Sequence, residues 1–220
     1  LLVPLSALIS AFALSILFTA PGNGWLMLLA AWLSISSKYL LTWQGRHVFN
    51  PTNFGLVMIL LLSGQRAAIA PAYQWGGSTQ IVLLVLGLGL LIMVWVRRAP
   101  LVVSFWAVFA LGALLRSVLT HLPVSFTLLA SLSGGAFMLF SFYMITDPKT
   151  SPSTTKGMIA FGALIGTVDL IFQLMTTVFS FIYALFAVSA VRWLVLVLAS
   201  RRTALSHPSS VPMMPGSVGT

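Results

Sequence analysis

Two polar, proline-bearing turns interrupt a chain that is otherwise strongly apolar. The first covers residues 46–55 (RHVFNPTNFG) and the second covers residues 146–157 (TDPKTSPSTTKG); we call them the FNP turn and the TDP turn. In a lipid bilayer, non-helical backbone is tolerated only where protein or a water-filled cavity satisfies its N–H and C=O groups. Each turn adjoins an apolar helix, so we expect the two turns to form the walls of a binding site.

The FNP turn has the sequence of a helix start. Asn50 suits the N-cap of the third predicted helix, and Pro51 suits its first helical position. Such a start directs unpaired N–H groups and a partial positive charge into the turn, which favours an anion or a polar ring carbonyl. Arg46, His47 and Asn53 add donors beside it. An ordinary cap with interfacial anchors is the alternative, and the residues alone leave both interpretations open.

The TDP turn closes the sixth predicted helix. Its Asp147 is one of only two acids in the chain, and it can pair with a neighbouring lysine or with an N–H group of a ligand. Thr146 and Thr150 add hydroxyl groups to the turn. Gly134 and Gly135, on the same predicted helix, permit the close approach of a neighbour. The alternatives are a solvated loop cap for Asp147 and simple packing for the glycines.

The second acid, Asp169, lies within the seventh predicted helix, close to Gln173. Ionisable residues inside a membrane span are costly and indicate function by default. Asp169 lies toward the outer end of its helix, however, so solvation at the interface is the alternative. Arg116 and Arg192 are its candidate partners.

Composition restricts the class of protein. The chain is 59% hydrophobic and 6% charged, with a mean hydropathy of +1.06, which predicts an integral membrane protein because soluble domains carry roughly 25% charged residues. It has no cysteine, which excludes disulfides and thiolate-held metal or iron–sulfur centres within the chain. Three histidines and two acids make a metal site unconvincing. The basic residues are spread over helix ends, so the formal charge of +9 does not predict nucleic-acid binding.

Apolar stretches predict an all-α polytopic fold with eight helices, most of them close to the ~20 residues that span a bilayer. These stretches cover about 3–20, 25–43, 54–70, 80–96, 100–119, 128–146, 158–175 and 179–199. The third has a clean apolar run only over residues 54–62, so we predict a half-helix or a bent helix there. We expect one transmembrane domain over residues 1–202 and a disordered cytoplasmic tail over residues 203–220.

Charge predicts the orientation of the chain. The turns after the even-numbered helices carry most basic residues, namely Arg46, Arg97, Arg98, Lys149, Lys156, Arg201 and Arg202. The opposite turns hold little beyond Arg66, with Arg116 near a helix end. By the positive-inside rule, both special turns and the C-terminus face the cytoplasm.

The two turns together resemble a known family, the RnfD/NqrB-like membrane proteins. It includes RnfD of the Rnf electron-transport complexes and NqrB of the sodium-pumping NADH:quinone reductases. The resemblance covers residues 25–190 and rests on WQGRHVFNPTNFG and on FMLFSFYMITDPKTSP with TKGMIAFGALIG. The order FNPTNFG, IAPAY (residues 69–73) and FYMITDP is closest to the enediyne-biosynthesis branch of that family.

The resemblance implies a ten-helix fold of two inverted halves, of which this chain lacks N-terminal helices. It also implies a binding position at the interface of the halves. The expected protein lies in a bacterial cytoplasmic membrane as part of a membrane oxidoreductase, with redox subunits and the lipid bilayer as its partners.

The resemblance further implies a flavin. The electron-transport relatives carry one flavin esterified to a threonine in the outward loop after the FNP helix, and a second held non-covalently. Between Ser63 and Gln80 this chain lacks the Ser-x-Ala-Thr motif and has only Thr79, so we do not expect covalent FMN. We expect non-covalent riboflavin or FMN, or a quinone, between the two turns. The alternatives are a transporter for a small solute or ion and a membrane scaffold of a biosynthetic assembly, each without redox chemistry.

Overall fold

A computed structural model of the chain describes residues 5–64, 66–70, 78–132 and 135–206. This part is an all-α polytopic membrane protein, as predicted, with two pairs of two-residue strands as its only β-structure. Three of its helical segments are long and apolar enough to cross a membrane: Ala99–Thr120, Thr155–Leu174 and Ser180–Arg201.

Nine α-helices follow one another along the described part of the chain. They are α1 (Leu5–Leu17), α2 (Gly24–Leu40), α3 (Pro51–Leu62), α4 (Thr79–Trp95), α5 (Ala99–Thr120), α6 (Val124–Leu132), α7 (Gly135–Leu139), α8 (Thr155–Leu174) and α9 (Ser180–Ser206). Helix α7 continues as a π-helical turn over Phe140–Met144. The strands are β1 (Phe18–Thr19), β2 (Thr42–Trp43), β3 (Arg46–His47) and β4 (Ala68–Ile69). β1 pairs antiparallel with β4, and β2 pairs antiparallel with β3.

The eight predicted segments correspond to these helices, with differences at three of them. Helix α3 ends at Leu62 after 12 residues, about 18 Å of helix, so the prediction of a half-helix is confirmed. The sixth predicted segment, residues 128–146, divides between α6, α7 and the π-helical turn. Residues 133–134 between α6 and α7 lie outside the described residues, as do residues 71–73 of the IAPAY motif.

The last helix is longer than the sequence indicates. It runs to Ser206, past the predicted end at residue 199, because the apolar pattern stops before the helical hydrogen bonding does. The rest of the predicted tail, residues 207–220, lies outside the described residues.

Two glycines set how closely the helices pack. An ideal Cβ on Gly162 of α8 would lie 2.3 Å from the carbonyl oxygen of Leu101 on α5. An ideal Cβ on Gly55 of α3 would lie 2.7 Å from the carbonyl oxygen of Ala30 on α2. Both helix pairs therefore pack backbone against backbone, which only a residue without a side chain allows.

Aromatic rings join α5 to the segment that leads into the TDP turn. Phe137 of α7 lies 4.7 Å from Phe109 and 5.7 Å from Phe105, ring centroid to centroid. Phe105 also meets Phe140 edge-on at 5.5 Å. Because these rings are buried and locked by one another, the π-helical turn has a fixed support on its core side.

Candidate functional site

The start of α3 has the cap that the sequence predicts. Asn50 is the N-cap residue, and its Oδ1 accepts a hydrogen bond of 3.1 Å from the backbone N–H of Asn53. Pro51 occupies the first turn, where its missing N–H costs nothing. The FNP turn therefore leads into a short helix whose N-cap is formed by a contact within four positions of the chain.

The same asparagine reaches the other turn. Asn50 Nδ2 donates to Asp147 Oδ2 at 3.2 Å and lies 3.5 Å from the carbonyl oxygen of Met144. Asn50 is only 8% exposed, so this contact is partly buried. One amide thus caps the FNP helix and holds the acid of the TDP turn.

The TDP turn also organises itself around Asp147. Its Oδ1 accepts from the backbone N–H of Lys149 at 3.0 Å, and its carbonyl oxygen accepts from the N–H and the hydroxyl of Ser151. Thr146 donates its hydroxyl back to the carbonyl of Phe142 at 2.6 Å. The carboxylate is thereby held by donors on two sides.

Three arginines from different parts of the fold bind the backbone of this turn. Arg46 donates from Nη2 to the carbonyls of Pro148 and Ser151, at 2.6 and 2.9 Å, and from Nε to that of Lys149. Arg98 donates to the carbonyl of Pro152, and Arg192 donates to that of Thr150. Each carbonyl from residue 148 to residue 152 therefore accepts a charge-assisted hydrogen bond, which fixes the shape of the turn.

These contacts also show how the turns lie in the bundle. The FNP turn, the turn between α4 and α5 and the TDP turn meet at one end. This agrees with the alternation of basic turns in the sequence.

A cavity of about 740 Å³ lies between the two turns. Helices α1, α4 and α7 and the π-helical turn supply apolar walls that include Ile16, Val85, Ile92, Leu139 and Phe142. Most of the polar lining belongs to the turns and to the end of α2, namely Lys38, His47, Asn50, Thr52, Thr146, Asp147 and Lys149; Ser10 and Tyr143 are the other polar lining residues. This volume lies within the ~300–1,000 Å³ of pockets for drug-sized ligands, which are likewise apolar with a few convergent polar groups.

His47 has an unusual environment in this wall. Burial lowers the pKa of its imidazole from the ordinary 6.5, the positive charges of Lys149 and Lys38 lower it further, and the carboxylate of Asp147 opposes them. The ring is therefore neutral at pH 7. Its Nδ1 is buried and has no hydrogen-bond partner among the described residues, so a polar atom is left for a ligand to satisfy.

The predicted site residues divide into two groups. Asn50, Pro51, Thr146 and Asp147 line the cavity. Arg46 does not line it, because its guanidinium binds the TDP backbone instead. Its predicted role as a donor to a bound ligand stays a prediction, and the residue lines a smaller, adjoining cavity.

The remaining predicted residues hold the site together without lining the cavity. Asn53 is 1% exposed and donates from Nδ2 to the carbonyl of Ile182 at 2.9 Å, which ties α3 to α9. Thr150 is buried under Arg192. Gly135 is buried at the start of α7, away from the described lining, whereas Gly134 lies outside the described residues.

Sequence reasoning missed the walls from α1 and α4. Tyr143, on the π-helical turn, lines the cavity and donates its hydroxyl to the carbonyl of Val85 on α4 at 3.1 Å. The apolar lining of both helices carries no polar signal in the sequence. Lys38 is the one charged residue of α2, and that isolated charge is a sequence signal that could have identified it as a lining residue.

Asp169 lies in a separate polar cluster. It is 0% exposed, so solvation at the interface is the wrong interpretation. Its Oδ1 accepts from the hydroxyl of Ser180 at 2.6 Å, and its Oδ2 accepts from Nε2 of Gln173 at 2.5 Å. Of its two candidate partners, Arg116 lies within electrostatic range of Asp169 while donating a hydrogen bond to the carbonyl of Thr127, whereas Arg192 binds the TDP turn.

Comparison with known proteins gives one family. The family described as "NQR2, RnfD, RnfE family" matches this chain over residues 6–191. No curated protein sequence matches the chain significantly. The matched range contains the FNP turn, the TDP turn and every described residue that lines the cavity.

Proposed function

The chain belongs to the NQR2, RnfD, RnfE family, and from this premise we propose that it holds a non-covalent flavin or a quinone in the cavity between the FNP and TDP turns. The family places it among multi-pass membrane subunits associated with electron transport. The observation that carries the proposal is the cavity itself, because both motifs of the family resemblance converge on it.

The shape of the cavity suits a flat ring with one polar edge. An isoalloxazine has an apolar dimethylbenzene edge and a pyrimidine edge with carbonyl and N–H groups, and quinones also join polar carbonyls to an apolar body. The apolar walls from α1 and α4 would hold the apolar part, and the turns would meet the polar edge.

The donor set matches that edge. The ammonium of Lys38 can donate to a ring carbonyl, and the carboxylate of Asp147 can accept from a ring N–H. His47 Nδ1, which lacks a partner among the described residues, can accept or donate according to its tautomer. A bound flavin or quinone would supply the electron-accepting chemistry. The residues named would orient it, and Lys38 would offset negative charge on it.

The proposal also covers the location and the partners of the protein. Both turns would face the cytoplasm from a bacterial inner membrane, and electrons would pass between the bound ring and partner subunits. The charge alternation supports this orientation, because three of the four basic turns that the sequence predicts on one side meet at one end of the bundle. The absent Ser-x-Ala-Thr motif supports non-covalent attachment. Membership of the enediyne-biosynthesis branch stays a prediction from the motif order.

The test is cofactor recovery from purified, monodisperse protein. Flavin and quinone are extracted and quantified per mole for wild type, Asn50→Ala and Asp147→Asn, after an absorption spectrum of each. We expect both variants to retain less cofactor than wild type. Thr154→Ala is the matched control, because Thr154 caps α8 through Gly157 N–H at 3.2 Å, as Asn50 caps α3, but does not line the cavity.

Three outcomes are distinguishable. Loss in the two cavity variants but not in Thr154→Ala supports the site. Equal recovery in all four proteins contradicts it. Absence of any flavin or quinone throughout favours the transporter or scaffold alternatives.

A further inference from the structure

A second, smaller cavity adjoins the first. It has a volume of about 220 Å³ and is lined by Arg46, Arg192 and Lys149, with tryptophans 43 and 193 at its side. His47 and Lys149 line both cavities. The two spaces therefore share part of one wall.

This second cavity, which we call the basic pocket, concentrates positive charge. Its described lining contains three cationic side chains and no acidic one. Arg46 and Arg192 lie within electrostatic range of each other. Like charges held this close repel, so an anion between them would be stabilised.

The cations are pre-positioned with donors to spare. Arg46 uses Nη2 and Nε on the TDP backbone, and Arg192 uses Nη1 on Thr150. Within the described part of the chain, Arg46 Nη1, Arg192 Nη2 and Lys149 Nζ are not engaged by these bonds, so their N–H groups are available. Guanidinium groups fixed in this way can each donate a further charge-assisted hydrogen bond to a phosphate oxygen.

A buried hydroxyl supplies independent evidence of a ligand. Ser189 on α9 is 3% exposed and lines the basic pocket. Its Oγ has no hydrogen-bond partner in the part of the chain that the structure describes. Buried hydroxyls are rarely left unpaired. This one lies beside three cations, where a phosphate oxygen would accept a hydrogen bond from it.

We propose that the basic pocket binds a phosphate group. Resting on the function proposed above, the ligand is then FMN, with its ring in the larger cavity and its phosphate in the basic pocket. The two shared wall residues, His47 and Lys149, would flank the ribityl chain. Riboflavin and quinones have no phosphate and would leave the three cations without an anion.

The test compares FMN with riboflavin on the purified full chain freed of cofactor. Affinities are measured by the quenching of flavin fluorescence at low and high salt. We expect FMN to bind at least about tenfold more tightly than riboflavin, since hydrogen bonds to charged groups are worth more than neutral ones. High salt should remove much of that preference, because it screens the charges.

Variants locate the preference. Ser189→Ala should weaken FMN binding several-fold and leave riboflavin binding nearly unchanged, because Ser189 lines only the basic pocket. Lys149→Met, which changes a residue of both cavities, should weaken FMN binding several-fold more than riboflavin binding. Lys156→Met is the matched control, since this lysine is also on the TDP turn but lines neither cavity. Equal affinities of wild type for FMN and riboflavin would overturn the assignment of FMN.

A second arm is independent of flavin. Native mass spectrometry of the protein from phosphatidylglycerol nanodiscs measures retained phospholipid for wild type, Lys149→Met and Lys156→Met. If neither flavin binds and no quinone is recovered from the purified protein, the proposed function fails; lipid retained by wild type and Lys156→Met but lost in Lys149→Met would then show that the phosphate comes from a lipid headgroup. If FMN has no preference and lipid retention is the same in all three, the phosphate pocket is rejected.

Discussion

Asn50 and Asp147 are 97 positions apart in the chain, yet the side-chain amide of the first donates to the carboxylate of the second at 3.2 Å. The amide oxygen of Asn50 is meanwhile occupied by the backbone N–H of Asn53. The start of α3 and the acid of the TDP turn therefore depend on the two ends of one amide.

This relationship predicts a reciprocal rescue. Asn50→Asp keeps the N-cap, because aspartate caps as well as asparagine, but it removes the donor and sets a carboxylate against Asp147. We expect it to destabilise the protein by about 1–3 kcal/mol and to lower cofactor retention. In the double variant with Asp147→Asn, the hydrogen bond re-forms with reversed polarity.

Thermal unfolding in detergent and cofactor recovery measure both effects. The double variant should be more stable than Asn50→Asp alone, a coupling that a double-mutant cycle isolates. Additive losses would show that the two side chains do not interact.

The arginines that bind the TDP turn predict that their removal makes the turn more mobile. Arg98 is 8% exposed and donates to the carbonyl of Pro152, so Arg98→Met loses a charge-assisted bond worth about 1.5–3 kcal/mol. Amide hydrogen exchange over residues 146–154 should become faster. Arg97→Met, at the neighbouring exposed position, is the control; similar exchange in both variants would assign the effect to charge alone.

Helix packing predicts opposite results for two glycines. A Cβ on Gly55 would lie 1.9 Å from Ser34 Oγ and 2.7 Å from the Ala30 carbonyl, so Gly55→Ala should cost about 1–3 kcal/mol by overpacking. Gly87 of α4 has nothing within 4 Å of its ideal Cβ, and Gly87→Ala should stabilise α4 by about 0.5–1 kcal/mol. The unfolding temperatures of the two purified variants test this difference. Equal shifts in unfolding temperature would mean that α2 and α3 are not in backbone contact.

His47 predicts a titration with a known sign. Because burial and Lys149 lower its pKa, the NMR titration of its imidazole should have a midpoint below 6.5. Lys149→Met should raise the midpoint, and Asp147→Asn should lower it further. As pH falls below 6.5, the unfolded chain binds the proton first, so this group's contribution to stability is present above 6.5 and is lost toward the folded-state pKa. A wild-type midpoint at or above 6.5 would contradict this environment.

The orientation predicts which face each turn occupies. The chain has no cysteine, so single cysteines can be labelled without background. A membrane-impermeant maleimide should modify Ser153→Cys in inside-out vesicles and His121→Cys in right-side-out vesicles. Both positions are exposed, and the predicted orientation places their two turns on opposite sides of the membrane. Labelling of both cysteines from the same face would show that the predicted number of spans between them is wrong by one. A reversed pattern would show that the predicted orientation is inverted.

The sequence by itself determined the membrane class, the order of the helices and the start of α3. Composition is a property of the whole chain, and the Asn50–Pro51 start depends on contacts within four positions. The short apolar run after Phe54 likewise predicts the half-helix that ends at Leu62. Such signals depend on neighbouring residues only, so they can be read from the sequence without knowledge of the helix packing.

Only the tertiary structure decided what the polar residues do. Arg46 has the same local sequence whether it faces a ligand or the TDP backbone, and its contacts with the carbonyls of residues 148–151 come from about a hundred positions away. The apolar walls of α1 and α4 and the unpaired hydroxyl of Ser189 are equally invisible in the chain. Each depends on which helix faces become neighbours, and that is settled by close helix packing at positions such as Gly55 and Gly162, because a missing Cβ brings two backbones together.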